Sequence, residues 1–402
     1  MSVYLDHAAT TPLHPAAREA WLRAAGSVGN PASIHGHGQR ARAQLEDARE
    51  RIARTLGAQS IETVLTSGGT ESSNLAIKGF FWARNRDEAR PLILTTRTEH
   101  HATLDAVEWL VANEGARVEW LPVDEHGLVD LDAAAAAIGR AAGDAALLTV
   151  LHGNNEIGTV QPVRALARLA ADAGIPMHVD AVASYGQLPV SLRDWGVSAV
   201  SVSAHKIGGP VGVGALAVSR RAAPEPLIHG GGQQRGFRSG TQDLAGALAF
   251  AALADAFVDG VLPGTDALRE LRDRLVLEVG ERVPGARLRG SALDAPELEG
   301  GPARLPLNAH FTFDGCQGDS LLFLLDMAGI SASTGSACQA GIPEPSHVLL
   351  GCGFDEATAR GALRFTLGHT STGADVDALL AALPGAVAQA GRAGLSNREA
   401  RR

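Results

Sequence analysis

Between residues 60 and 220 the chain alternates short apolar runs with segments of helical periodicity, and this alternation constrains the fold more than any other feature. Strands are expected at Thr63–Thr66, Leu92–Thr95, Val118–Leu121, Ala146–Leu151, Met177–Val179, Val197–Val202 and Ala215–Val218. Helices fill the intervals; one, Pro162–Ala173, starts on proline and stops at Gly174. Such a chain folds as α/β, with a mostly parallel sheet covered by helices on both faces. Ahead of it, Ala41, Leu45, Ala48, Ile52 and Leu56 recur three and four apart and end at Gly57, the pattern of an amphipathic helix. The arginines from Arg40 to Arg54 alternate with Glu46, Asp47 and Glu50 and read as its solvated face. After about residue 255, helical patterns at Asp266–Val279 and Asp375–Ala390 flank short strands at Ala309–Phe313 and Leu363–Leu367, which reads as a smaller α+β domain. The expected division is a large domain over 12–255 and a small one built from 1–11 and 256–402.

Charge and cysteine usage narrow the class. A net charge of −9 argues against a nucleic-acid partner. No apolar run approaches the roughly 20 residues that span a membrane, and the start Met1-Ser2-Val3-Tyr4-Leu5-Asp6 lacks the basic and apolar regions of a signal peptide. Three cysteines at unpatterned spacing, Cys316, Cys338 and Cys352, point to a reducing, cytoplasmic setting without a disulfide framework.

Only two of the 35 Lys and Arg residues are lysine, Lys78 and Lys206. Arginine cannot form a Schiff base, so a lysine kept in this background is either a candidate for amine chemistry or a leftover surface residue. Lys206 lies in Ser203-Ala204-His205-Lys206, directly after an expected strand. Three further features also fall at strand ends, where open α/β sheets bind ligands. Ser67-Gly68-Gly69-Thr70 joins a strand to a helix start, suited to a phosphate or simply to capping the helix. Asp180 closes its strand and would either pair with a protonated ring nitrogen or serve a turn. His100, beside His101, would stack on a flat cofactor or move protons; the adjacent pair lacks metal-ligand spacing, and His35-Gly36-His37 reads as loop. A phosphate cradle, an aromatic stacker, an acid and a lysine in this order specify pyridoxal 5′-phosphate.

A second centre surrounds Cys338. Small residues, glycines and prolines run from about 333 to 346, so this cysteine reads as exposed on a loop, where it can reach a substrate. Cys316 and Cys352 take the structural reading. Arg364, inside a strand pattern, would either clamp a carboxylate or make an internal ion pair.

Taken with Tyr4–Thr11, Asn154–Gly158, Gly230–Arg235 and Arg238–Thr241, these residues resemble the cysteine desulfurases of the class V aminotransferases, pyridoxal-phosphate enzymes of aspartate aminotransferase-like fold. The resemblance runs nearly end to end. It implies that Lys206 carries the cofactor and moves the Cα proton. It implies that His100 stacks on the ring, that Asp180 meets the ring nitrogen, and that Gly69, Thr70, Ser203 and His205 hold the phosphate. Thr241 would join them from the partner subunit of a homodimer. Asn155 and Arg364 would bind the carboxylate of L-cysteine, and Cys338 would take its sulfur as a persulfide for an iron–sulfur scaffold or a tRNA-thiolation protein. Selenocysteine or cysteine sulfinate as substrate, or a sulfur-relay protein without turnover, are the competing readings. Two positions depart from the family pattern. Ala183 stands where a glutamine is usual, leaving Ser184 or water to donate to the ring oxygen, and His369 stands where arginine is common.

Overall fold

A computed structural model describes residues 2–335 and 344–399, with side chains described through Arg392. β1 (Val3–Tyr4) is followed by α1 (Pro15–Ala25) and α2 (Gly36–Thr55). The alternating region then runs β2 (Thr63–Thr66), α3 (Gly69–Asn85), β3 (Leu92–Thr96), α4 (His101–Glu114), β4 (Arg117–Leu121), α5 (Leu131–Ala141), β5 (Ala145–Leu151), α6 (Val163–Asp172), β6 (Met177–Asp180), α7 (Leu192–Trp195), β7 (Ala199–Ser203), β8 (Gly214–Val218) and α8 (Leu244–Ala254). The last part comprises α9 (Thr265–Arg282), β9 (Ala286–Leu288), β10 (Asn308–Phe313), α10 (Gly318–Met327), β11 (Ile330–Ser331), α11 (His347–Gly351), α12 (Glu356–Arg360), β12 (Ala362–Thr366) and α13 (Gly373–Glu399).

Seven strands form the central sheet in the order β2-β8-β7-β6-β5-β3-β4. Only β8 is reversed, antiparallel to both β2 and β7. The remaining six strands therefore all end at one edge. Every residue of β5 and β8 is buried, which is why these strands read as largely apolar runs rather than alternating ones. The core on this sheet draws on residues from Ala17 to Ala254. A second core joins Val3 and Leu5 to residues from Leu275 to Ala390, around the antiparallel sheet β12-β10-β9 and the β1–β11 pair.

Three expectations are corrected. His35-Gly36-His37 is not loop: His35 caps α2, its Nδ1 accepting from the Gly38 N–H, and the next two residues are helical. The solvated face of that helix has an exception in Arg49, which is buried and donates to the Thr63 carbonyl oxygen at 2.9 Å and to Gln234 Oε1 at 2.7 Å. Gln234 in turn bonds both the N–H and the carbonyl of Leu65, so its side chain pairs with the edge of β2 as a neighbouring strand would. Finally, Pro162 stands just before α6 rather than within it. Among the described residues no helix is long and apolar enough to cross a membrane.

Candidate active site

At the edge where the six strands end, a cavity of about 400 Å³ gathers Gly69 and Thr70 after β2, His100 after β3, Asn155 after β5, Asp180 closing β6, and His205 and Lys206 after β7. Arg364 from β12, Ser333 and Gly335 beyond β11, and Ala8 and Ala9 of the N-terminal strip complete its wall. Sequence positions far apart meet here because parallel strands deliver their following loops to the same edge.

The turn between β2 and α3 is built on glycines. Gly68 has a φ of 147°, and a Cβ on Gly69 would stand 2.6 Å from Val182 Cγ2. Gly214 closes the other side, where a Cβ would lie 2.7 Å from Gly68 Cα. The first-turn N–H groups of α3 have no partner within the helix, which leaves them free to receive an anion. Nearby, the Ser203 hydroxyl is buried without a protein partner.

Lys206 sits on a 3₁₀ turn, Ala204–Ile207, that ends at Gly208 in the left-handed region. Its amine donates to the carbonyl oxygens of Ala8 and Ala9. Burial, then the Arg364 charge, lowers its pKa to about 8, against the pull of Asp6 and Asp180. Asp180 is buried, and this raises its pKa to about 6, although the Val182 N–H at 2.9 Å and Lys206 both favour its charge. His100 caps α4, accepting from the Ala102 N–H through Nδ1 at 3.0 Å, so a neutral ring keeps its proton on Nε2. The ring is open to solvent through the cavity yet enclosed by protein on a wider scale. That enclosure, then the Lys206 charge, lowers its pKa to about 4. His205 is lowered to about 4 for the same two reasons. Arg364 makes the internal ion pair of its two alternatives and also faces the cavity. It lines the cavity and pairs with Asp6 at 2.8 Å while donating to the Asn155 carbonyl oxygen at 2.8 Å.

These groups fit a phosphorylated pyridine aldehyde. The orphaned Ser203 hydroxyl and the start of α3 suit the phosphate, Asp180 suits a ring N–H⁺, and Lys206 suits the aldehyde. The chain matches the aminotransferase class-V family model over residues 3–379. It belongs to that family. An IscS-like cysteine desulfurase from Mycobacterium tuberculosis is 51% identical over 394 residues, covering 98% of both chains. Cysteine desulfurase IscS from Dictyoglomus turgidum is 40% identical, covering 93% of this chain and 92% of its own. Among solved structures, a NifS-like protein aligns with a TM-score of 0.85 and 33% identity over 97% of this chain and 100% of its own. SspA in complex with cysteine aligns at 0.77 and 31%, over 92% and 100%.

Like other members, this class-V aminotransferase is a pyridoxal-phosphate enzyme of aspartate aminotransferase-like fold. Not every expected residue lies in the cavity. Thr241 is exposed and does not line it. Ser184 is not available to replace the missing glutamine: its hydroxyl is buried against His152 Nδ1 at 2.8 Å and the Ala181 carbonyl at 3.2 Å. Ala183 does line the cavity, and it also lines a second, more apolar one of about 220 Å³ that shares Ala8, Asn155 and Lys206. Cys338 lies outside the described residues. Cys316 and Cys352 are buried, and burial pushes the Cys352 thiol up to about 12, in keeping with structural roles.

Sequence reasoning missed the carbonyls of Ala8 and Ala9, and Asp6, although all three lie in the Tyr4–Thr11 motif. It also missed Glu99, fully buried next to His100. Burial raises its pKa to about 8; one oxygen accepts from Thr96 Oγ1 at 2.7 Å and the other has no hydrogen-bond partner in the protein. No periodicity marks a buried acid at that position.

Proposed function

We propose that this chain is a cysteine desulfurase that converts L-cysteine to L-alanine and holds the sulfur as a persulfide on Cys338. The observation that carries this reading is the convergence of Lys206, Asp180 and Arg364 on a cavity whose wall includes Gly335, three residues before Cys338. The similarity to cysteine desulfurases and to SspA in complex with cysteine supports the same substrate.

Arg364 and Asn155 would receive the cysteine carboxylate and orient its Cα–H toward Lys206. Pyridoxal phosphate, when bound, supplies the sink for the electron pair released at Cα. With its pKa near 8, the Lys206 amine can take that proton and return it close to neutrality. His100 Nε2–H is a further mobile proton beside the cavity. Asp180, charged opposite a ring N–H⁺, would hold the cofactor's orientation, and Gly69, Thr70, Ser203 and His205 would hold its phosphate. The Cys338 thiolate attacks the substrate sulfur; an S–S bond forms, the C–S bond breaks, and the electron pair leaves with the carbon that becomes the alanine methyl.

We further infer a large domain over 12–255 and a small one from 1–11 and 256–402, a cytoplasmic homodimer in which Thr241 serves the partner's cavity, and an iron–sulfur scaffold or tRNA-thiolation protein as sulfur acceptor. The test is L-alanine and sulfide release from L-cysteine with a reductant, comparing the protein with its Cys338→Ala variant. Activity lost in the variant while cofactor absorbance persists is expected. Activity that survives would overturn the persulfide step.

A further inference from the structure

Glu156 follows Asn155 directly, does not line the cofactor cavity, and is 1% exposed. Its backbone is fixed from both sides. Asn154 Oδ1 accepts from the N–H groups of Glu156 and Ile157 at 2.9 and 3.0 Å, and Asn308 Nδ2 donates to the Glu156 carbonyl at 2.9 Å. The side chain then meets the chain on both sides of Cys338. Oε2 accepts the Ser346 hydroxyl at 2.5 Å, and Oε1 lies 3.9 Å from His347 Nδ1. A Cβ built on Gly335 would stand 3.1 Å from that same Oε2 and 3.3 Å from Nε2 of His310, which is itself fully buried. Gly335 also has a φ of 91°, so two separate constraints favour glycine there.

We propose that Glu156 is a positioning residue for sulfur transfer: one carboxylate anchors Ser346 after Cys338 and borders Gly335 before it, next to Asn155 and the strand that carries Arg364. This rests on the desulfurase reading above. The geometry favours it over a purely structural role. An apolar side chain would fill a buried site at less desolvation cost, whereas only a group with an acceptor at this reach takes the Ser346 hydroxyl while bordering Gly335. Arg364 completes the link, since its backbone exchanges hydrogen bonds with Ser333, two residues before Gly335, at 2.6 and 3.2 Å.

The experiment compares Glu156→Ala and Glu156→Gln in the full-length holoenzyme. Expected for the alanine variant is at least a tenfold loss of L-alanine formation at saturating L-cysteine. Cofactor absorbance and the half-saturating cysteine concentration in an absorbance titration should stay within about twofold, an expectation set by Arg364 and Asn155 remaining in place. Glu156→Gln, which keeps an acceptor for Ser346, should recover to within about threefold. A wild-type rate in Glu156→Ala overturns the proposal, as does a parallel loss of cofactor and substrate binding. If that variant fails to fold, Gly335→Ala presses on the same carboxylate and should give the same selective loss; a wild-type rate there overturns the proposal too. An inactive wild-type protein would sink only the desulfurase reading. The rate of Cys338 alkylation by iodoacetamide then reads positioning directly: a change of at least threefold in Glu156→Ala is expected, and equal rates overturn it.

Discussion

Arg364 donates to the carbonyl oxygen of Asn155 at 2.8 Å, so the two residues expected to grip the substrate carboxylate also grip each other. A second guanidinium nitrogen is engaged by Asp6 at 2.8 Å. The fork is therefore pre-oriented before substrate arrives, and a lysine cannot reproduce the two anchors and a carboxylate contact at once. Arg364→Lys should raise KM for L-cysteine by roughly 10- to 150-fold, the equivalent of about 1.5–3 kcal/mol for hydrogen bonds to a charged group. Steady-state kinetics check this, and an unchanged KM would remove Arg364 from substrate binding.

Cofactor uptake should follow the Lys206 amine. Only the neutral amine attacks an aldehyde, and its pKa is lowered to about 8. The neutral fraction rises with pH through that value, so reconstitution of the cofactor-free protein at a fixed cofactor concentration should be about eightfold faster at pH 8.5 than at pH 7. Stopped-flow absorbance measures this directly. A flat profile would mean that a step other than amine attack limits uptake.

Glu99 should make the cofactor-free protein less stable as pH rises. Its folded pKa of about 8 lies above the ordinary 4.5, so the folded state keeps a proton that the unfolded chain has released. Stability then falls with increasing pH between those two values. The buried histidines, with pKa values lowered to about 3 or 4, act in the opposite direction but below about pH 6.5. Between about pH 6.5 and 8 Lys206, with its pKa lowered to about 8, also begins to release its proton and acts against Glu99, so the Glu99 share is read as the difference between the wild type and a variant that lacks the acid. Urea midpoints there should fall more steeply for the wild type than for Glu99→Gln, and parallel slopes would refute the assignment.

Gly69→Ala should weaken cofactor binding at least tenfold. The added carbon would meet Val182 at 2.6 Å and displace the start of α3 from the phosphate position. Equilibrium dialysis of pyridoxal phosphate measures it; an unchanged affinity would show that Val182 moves aside without cost.

The sheet was legible in the sequence because strands buried on both faces are largely apolar, as in β5 and β8. The reversal of β8 was not, since an apolar run carries no direction. Lys206, Asp180, His100 and Thr70 stood out because each follows or closes such a run. Arg49 and Glu156 did not. Their partners lie up to 190 positions away, and nothing local distinguishes a buried charged side chain from its solvated neighbours. Ser184 misled for a related reason: adjacency to Ala183 says nothing about which way a hydroxyl turns, and here it turns to His152.

The amine of Lys206 rests on carbonyls of Ala8 and Ala9, and that strip is held by contacts with Ser331 and Thr366. On the ribosome, this strip therefore waits for Thr366, 358 positions beyond Ala8, before it can settle. At about 5–20 residues per second that interval lasts tens of seconds. Throughout it the central sheet can already be assembled while its lysine lacks its two settled carbonyl anchors, so the mature cavity forms only once the strand that carries Thr366 has been made.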